Sequence, residues 1–335
     1  MKVLMVTNIY PVPGHPGRGS FVKAQIDSIR REGVEVDVEY VNAIDSRLAF
    51  PASAMRIAMR AFRNQFDLIH AHYGTTGIIS RLQWRKPVIV SYLGSDILGN
   101  PGAGGEGKTV YSQIVALLSR LSSPAMNAVI VKSRELQRKI PRQHNVFVIP
   151  NGVDFNLFRP MEPESARRQL GLDQKKKYVL FPSNAAWPRK CYALAEAAVQ
   201  LLQQQGLPVE LVTVFGKPQN LVPLYMNGCH AMVLTSLWEG SPNVVKESMA
   251  CNLPVVSVNA GDVPEVIDDC DGCFIVPRNA AAIATKLKLI LHRPVRTRGR
   301  ERIRHLEMQT VARQIIAIYE AVLRRKFRAE SGRNA

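Results

Sequence analysis

Residues 231–258 read AMVLTSLWEGSPNVVKESMACNLPVVSV. An apolar run of strand length, 231–235, leads through a polar loop into a segment of helical period, and a second apolar run follows at 254–258. Ser241 is a good helix cap and Pro242 suits a first helical position, so the spacing predicts a helix over 242–251. Strand, helix and strand in this order form a βαβ unit with parallel strands.

The rhythm extends in both directions. Downstream of the turn signal Pro150-Asn151-Gly152, strands are expected at 178–182, 210–215, 231–235, 254–258 and 274–276, with helices at 192–205, 242–251 and 280–291. Upstream, strands are expected at 2–7, 34–41, 67–70, 87–92, 128–131 and 146–149, with helices at 20–31 and 52–64. A last helical stretch covers about 310–325. The fold class is α/β: two doubly wound, Rossmann-like domains, 1–150 and 151–309, with the C-terminal stretch 310–335 rejoining the first. Such domains bind ligands beyond the strand C-termini, which predicts a site in the cleft they face.

At 335 residues the chain can bury two cores. No apolar run reaches membrane-spanning length, and MKVLMVTNIY reads as a first strand rather than a leader, so a cytosolic location is expected. The five cysteines, 191, 229, 251, 270 and 273, are expected to be reduced, and the one CxxC lacks a second ligand pair for zinc. Formal net charge is +17, spread over both halves, which favours phosphorylated or anionic partners. Helix-turn-helix, RNP and zinc-finger patterns are absent, so no nucleic-acid partner is expected.

The chemistry centres on two carboxylates. Glu239 lies in the loop at the mouth of the 242–251 helix and Glu247 lies on the helix. A carboxylate in the loop can hold sugar hydroxyls and one on the helix can hold ribose hydroxyls, although two Glu at this spacing more often mark a solvated helix face. The helix opening, Ser241, Pro242 and Asn243, can face phosphate. A second phosphate contact is expected at the turn Gly17-Arg18-Gly19-Ser20, although an ordinary strand–helix loop reads the same way. GxGxxG and Walker A patterns are absent. His72 follows a strand and is a candidate active-site imidazole or a satisfied structural one. Asp96 reads as a cap, and Asp269-Cys270-Asp271 as a turn rather than a metal site.

Glu239 and Glu247 form the E-x7-E motif, and the chain resembles retaining family 4 glycosyltransferases of GT-B fold. Asp67-Leu68-Ile69-His70-Ala71-His72, Gly94-Ser95-Asp96, Ile149-Pro150-Asn151-Gly152-Val153-Asp154 and Met249-Ala250-Cys251-Asn252-Leu253-Pro254 match in order. SPNVVKESMACNLPVVSVNAGDVPEV resembles the branch acting on teichuronic acid and related surface polysaccharides. The resemblance implies sugar transfer from a nucleotide-diphosphate donor to a saccharide acceptor, lipid-linked or growing, without a cofactor or metal. It implies that Glu239 contacts the donor sugar, Glu247 the ribose, Lys190 the diphosphate, and Gly17 and Gly19 close on that diphosphate. Three departures stand out. Ser183-Asn184 replace the Arg expected before the Lys, leaving Arg189 to substitute. Leu93 replaces a His. A helix–strand unit near the base site is missing between Lys190 and Glu239.

The 52–64 helix carries Met55, Ala58, Met59 and Phe62 on one face and Arg56, Arg60 and Arg63 on another. It is expected to lie on an anionic membrane as a peripheral contact, or else to be a core helix with solvated arginines. Arg293–Arg304 forms a second basic run. A soluble small acceptor and a nucleotide-sugar epimerase on the same scaffold remain the alternatives.

Overall fold

A computed structural model describes residues 1–13, 17–42, 46, 48–99, 109–141 and 144–331. Among these, 1–152 with 308–331 form one compact unit and 153–307 form another.

The first unit runs β1 (Lys2–Thr7), α1 (Ser20–Arg31), β2 (Glu35–Tyr40), α2 (Ala49–Phe62), β3 (Leu68–His72), α3 (Gly74–Arg81), β4 (Val88–Ser91), α4 (Ser95–Leu98), α5 (Val110–Ser122), β5 (Ala128–Val131), α6 (Arg134–Arg138) and β6 (Val146–Val148). The sheet is parallel, in the order β2-β1-β3-β4-β5-β6. β3 and β4 are buried at every position, as strands covered on both faces must be, whereas β2 at the edge is buried only at Val36 and Glu39.

The second unit runs α7 (Pro163–Leu170), β7 (Lys177–Phe181), α8 (Tyr192–Gln204), β8 (Val209–Thr213), α9 (Val222–Gly228), β9 (Ala231–Leu234), α10 (Asn243–Ala250), β10 (Val255–Val258), α11 (Val263–Ile267), β11 (Phe274–Val276), α12 (Ala280–His292) and α13 (Gly299–Arg302). Its parallel sheet has the order β11-β10-β9-β7-β8. The chain goes from β7 to β8 on one side and then returns to β9 on the other. That reversal leaves a crevice beyond the C-termini of β7 and β9.

Helix α14 (Met308–Ser331) belongs to the first unit. Val311, Ala312, Ile315, Ile318, Tyr319 and Val322 pack into the cluster built on Val3, Met5, Ile26 and Ile29. Tyr319 Oη lies 2.5 Å from His70 Nδ1, and Ser91 Oγ lies 2.8 Å from His70 Nε2, so the buried imidazole is bonded at both nitrogens.

Three local readings are corrected. Pro242, not Ser241, is the residue that caps α10, because the Ser241 hydroxyl is engaged elsewhere. The α2 arginines do not form a free cationic face: Arg56 pairs with Glu39 at 2.7 Å and Arg60 with Asp37 at 2.6 Å, both carboxylates standing on β2. In the basic run, Arg296, Arg300 and Arg302 donate to backbone carbonyls, among them those of Met226, Phe158 and Asp268.

Candidate active site

The loops after β7 and β9 converge at the crevice of the second unit. Pro188–Lys190 forms a single 3-10 turn that ends at Cys191 with φ of 49°. The loop after β9 is stitched to it: Thr235 Oγ1 donates to Lys190 O at 2.8 Å, and Leu237 N donates to Arg189 O at 2.8 Å. This brings the Lys190 ammonium onto Glu239 Oε1 and Arg189 Nη1 to 3.4 Å from Glu239 Oε2. Lys190 and Glu239 are each 8% exposed. Burial pushes the Lys190 amine below its ordinary range, and the Glu239 carboxylate opposes that shift. Arg189 also sits over the rings of Trp187 and Trp238, 5.7 and 5.2 Å from their centroids.

The Glu239 backbone is held from the β10 side. Gly261 has φ of 58°, and a Cβ there would lie 2.8 Å from the carbonyl oxygens of Glu239 and Gly240. Only glycine allows that approach. Ser241 Oγ donates to Asp262 Oδ2 at 2.5 Å, and the buried Lys246 binds both Ser241 and Asp262, the latter at 3.3 Å. Arg278, after β11, donates to the carbonyls of Thr235 at 2.6 Å and Ser236 at 2.8 Å. Asn243 opens α10 and half-buried Glu247 follows one turn on. Burial pushes the Glu247 carboxyl up to about 7, against the pull of Lys246.

The second unit therefore brings Arg189, Lys190 and Glu239 together, with Ser241 tied to Lys246 and Asp262. Sequence reasoning missed Lys246, Asp262, Arg278 and the two tryptophans as parts of this site. Lys246 had a signal, since Val245 and Met249 flank it on an apolar helix face. Arg278 had none, because its partners are carbonyls some forty residues away.

Gly17, Gly19 and His72 belong to the first unit. Gly19 caps α1 with φ of 68°, and a Cβ there would sit 2.4 Å from Ile9 O. Gly17 has open space around it. His72 is 1% exposed and stacks on His70 at 4.4 Å. The Gln25 amide nitrogen lies 3.1 Å from His72 Nε2, which must accept, since an amide nitrogen only donates. Burial, aided by Lys132, pushes the His72 pKa down to about 3, so the ring is neutral at physiological pH. Asp96 accepts from the backbone of Leu93, Gly94 and Gly74 at 2.9–3.1 Å, which is capping of the β4 loop and of α3. Asp269 and Asp271 occupy the turn before β11, at the sheet edge opposite the Lys190 loop. Among the described residues no group of three or more His, Cys, Asp or Glu is gathered for a metal.

Residues 10–157 match a family model described as Glycosyltransferase Family 4, and residues 194–305 match one described as Glycosyl transferases group 1. A Bacillus subtilis protein named as a candidate teichuronic acid biosynthesis glycosyltransferase, TuaC, is 22% identical over 361 residues, covering 88% of this chain and 90% of that relative. Sucrose-phosphate synthase from Thermosynechococcus elongatus superposes with a TM-score of 0.78 at 18% identity, over 98% of this chain and 100% of that chain. Anabaena HepE in complex with UDP-glucose gives 0.70 at 20% identity, over 96% and 100%. At these identities the two structures speak for the fold.

Proposed function

We propose that this chain, which belongs to the family 4 glycosyltransferases of GT-B fold, transfers a sugar with retention from a nucleoside diphosphate donor to a lipid-linked or growing surface polysaccharide. The observation that carries the reading is the grip of Lys190 and Arg189 on Glu239 at the β7–β9 crevice. Breaking the glycosidic bond leaves charge on the departing diphosphate. Two fixed cations and the α10 N-terminus can stabilise that charge without reorganising. Glu239, released as its cations turn to the diphosphate, accepts hydroxyls of the donor sugar, while Glu247 accepts those of the ribose. Attack from the face the leaving group vacates retains configuration and needs no carboxylate nucleophile. The teichuronic acid role for which the TuaC relative is named and the charge of +17 support an anionic saccharide acceptor at the inner membrane face.

The test is a thermal shift with UDP-, GDP-, ADP- and dTDP-sugars, UDP-glucose first, since that is the ligand of the HepE structure. A donor at about a hundredfold its Kd adds roughly 2.7 kcal/mol to the folded state and raises the midpoint by several degrees. Transfer from that donor should continue in EDTA, because Lys190 and Arg189 are already there to meet the diphosphate. A chain whose midpoint no nucleotide sugar moves would sink this reading.

A further inference from the structure

Cys229 and Cys251 are packing groups. They are 1% and 0% exposed, and burial pushes both thiols up to about 12. A thiol in that state is a small apolar side chain and chemically inert. Cys270 and Cys273 are placed differently, on the turn between α11 and β11. Cys273 N donates to Cys270 O at 2.9 Å, and Gly272 at the third position has φ of 85°. A β-turn of this kind keeps its end Cα atoms within about 7 Å. A disulfide joins Cα atoms about 4.4–6.8 Å apart, so the turn can close one without a large backbone movement. Both residues are thiols in this structure.

The turn is held from both sides. A Cβ on Gly272 would lie 3.1 Å from Thr297 Cγ2, and Thr297 N donates to Asn252 O at 2.9 Å. Arg302 Nε donates to Asp268 O at 2.9 Å. Within this frame the Cys273 thiol donates to the Cys270 sulfur and draws the Cys270 thiol below its ordinary range. Burial and Asp271 oppose that shift, whereas the Thr297 hydroxyl and Arg302 assist it. The Cys273 thiol is pushed up in turn, since it is the one that keeps its proton. The two sulfurs thus divide the work of exchange, one holding thiolate character and one waiting as a thiol.

Cys270, and not Cys273, lines a groove of about 970 Å³. Leu289 and Val295 give the groove an apolar wall. Arg293 and Arg298 on one hand, and Asp271 and Glu301 on the other, line it with exposed charges of both signs. A small ligand that carries both carboxylate and ammonium groups matches such a lining. We propose that Cys270 and Cys273 form a thiol–disulfide exchange site for a small zwitterionic disulfide, with Cys270 attacking and Cys273 resolving. The Cys270 thiolate attacks one sulfur of the ligand, forming a mixed disulfide, and the other half of the ligand leaves and takes the proton that Cys270 gave up. Cys273 then loses its proton and attacks the Cys270 sulfur. The second half leaves with that proton. Two protein thiols are oxidised to one disulfide, and one ligand disulfide is reduced to two thiols. The site stands at the β11 edge of the sheet, needs neither sugar donor nor acceptor, and is independent of the transferase reading.

The probe is glutathione disulfide, incubated with the reduced full chain. The thiols that remain are then alkylated and located by mass spectrometry. The segment holding Cys270 and Cys273 should be recovered two hydrogens lighter, with two glutathione thiols released for each disulfide formed. Cys229 and Cys251 should be alkylated only after unfolding. Cys273→Ser should stop the reaction at a glutathione adduct on Cys270. Cys270→Ser should leave Cys273 at least about tenfold slower, for want of a thiolate. Arg293→Gln with Arg298→Gln should slow the reaction about threefold or more, yet leave exchange with uncharged hydroxyethyl disulfide unchanged. Should a cysteine variant misfold, the unaltered chain answers instead: two thiols must be released and no glutathione retained on this segment. The proposal is overturned if Cys270 and Cys273 stay open to alkylation, if the first adduct forms on Cys273, or if the disulfide joins two chains. It is equally overturned if the double arginine variant slows both disulfides alike or neither.

Discussion

Lys190 and Glu239 are each almost out of water and bonded to one another, so removing Glu239 strands the Lys190 ammonium, and removing Lys190 leaves Glu239 only the longer contact with Arg189. Lys190→Ala should therefore lower the melting midpoint. If the amine also meets the diphosphate, it should reduce kcat at saturating donor about a hundredfold. A lower midpoint with unchanged kcat would make Lys190 only the counter-ion of Glu239. Glu247 provides a pH signature. Its carboxyl, ordinarily near 4.5, is pushed up to about 7 by burial. The folded chain thus keeps a proton that the unfolded chain has released, and this group's contribution to stability falls as pH rises from 4.5 to about 7. Ribose hydroxyls donate, so they need the ionised form. Nucleotide affinity measured by calorimetry should rise almost tenfold per pH unit below about 7 and level off above it. Glu247→Gln should flatten that profile, and a slope that survives the substitution would assign it to another group.

At the scale of elements, the turn into α1 offers a clean separation between folding and binding. Gly19 is locked in by its left-handed φ and by Ile9 O at 2.4 Å from any Cβ. Gly19→Ala should cost about 1–3 kcal/mol of stability in chemical denaturation. Gly17 has neither constraint. Gly17→Ala should leave the midpoint within about a degree or two. It should nonetheless weaken donor binding, since a methyl group keeps a phosphate from the backbone N–H groups. Wild-type donor affinity in Gly17→Ala would reduce the turn to an ordinary loop between β1 and α1.

At the scale of the molecule, the first unit is built from both ends of the chain. Val311, Ala312, Ile315, Ile318, Tyr319 and Val322 reach its core from α14, and Tyr319 satisfies His70 across 249 positions of sequence. Losing that face exposes apolar surface worth on the order of 10 kcal/mol, as much as a whole domain has to spare. A chain ended after Glu307 should therefore lose the first unit, seen as aggregation or as the loss of its unfolding transition in calorimetry. A soluble product with both transitions intact would mean that α14 merely covers a unit able to fold without it.

Periodicity was enough to read the strands and the longer helices other than α5, because a strand covered on both faces must be apolar throughout and a crossover helix must repeat its apolar face. The two-domain α/β class was legible on the same grounds, since it depends on local spacing, whereas Glu239 and Glu247 were singled out by the resemblance to family 4 glycosyltransferases. Tertiary structure alone decided which side chains meet. Arg278 reaches carbonyls on another loop, Lys246 turns inward to Asp262, and Arg56 and Arg60 of α2 are taken by carboxylates of β2. The direction of α5 is of the same kind. A helix with one large apolar side and one small side can bury either, and the close approach of Gly74 to Ser119 settles it by admitting only the small one. Sequence spacing determines the faces of an element; the space its neighbours leave determines which of those faces is turned to the core.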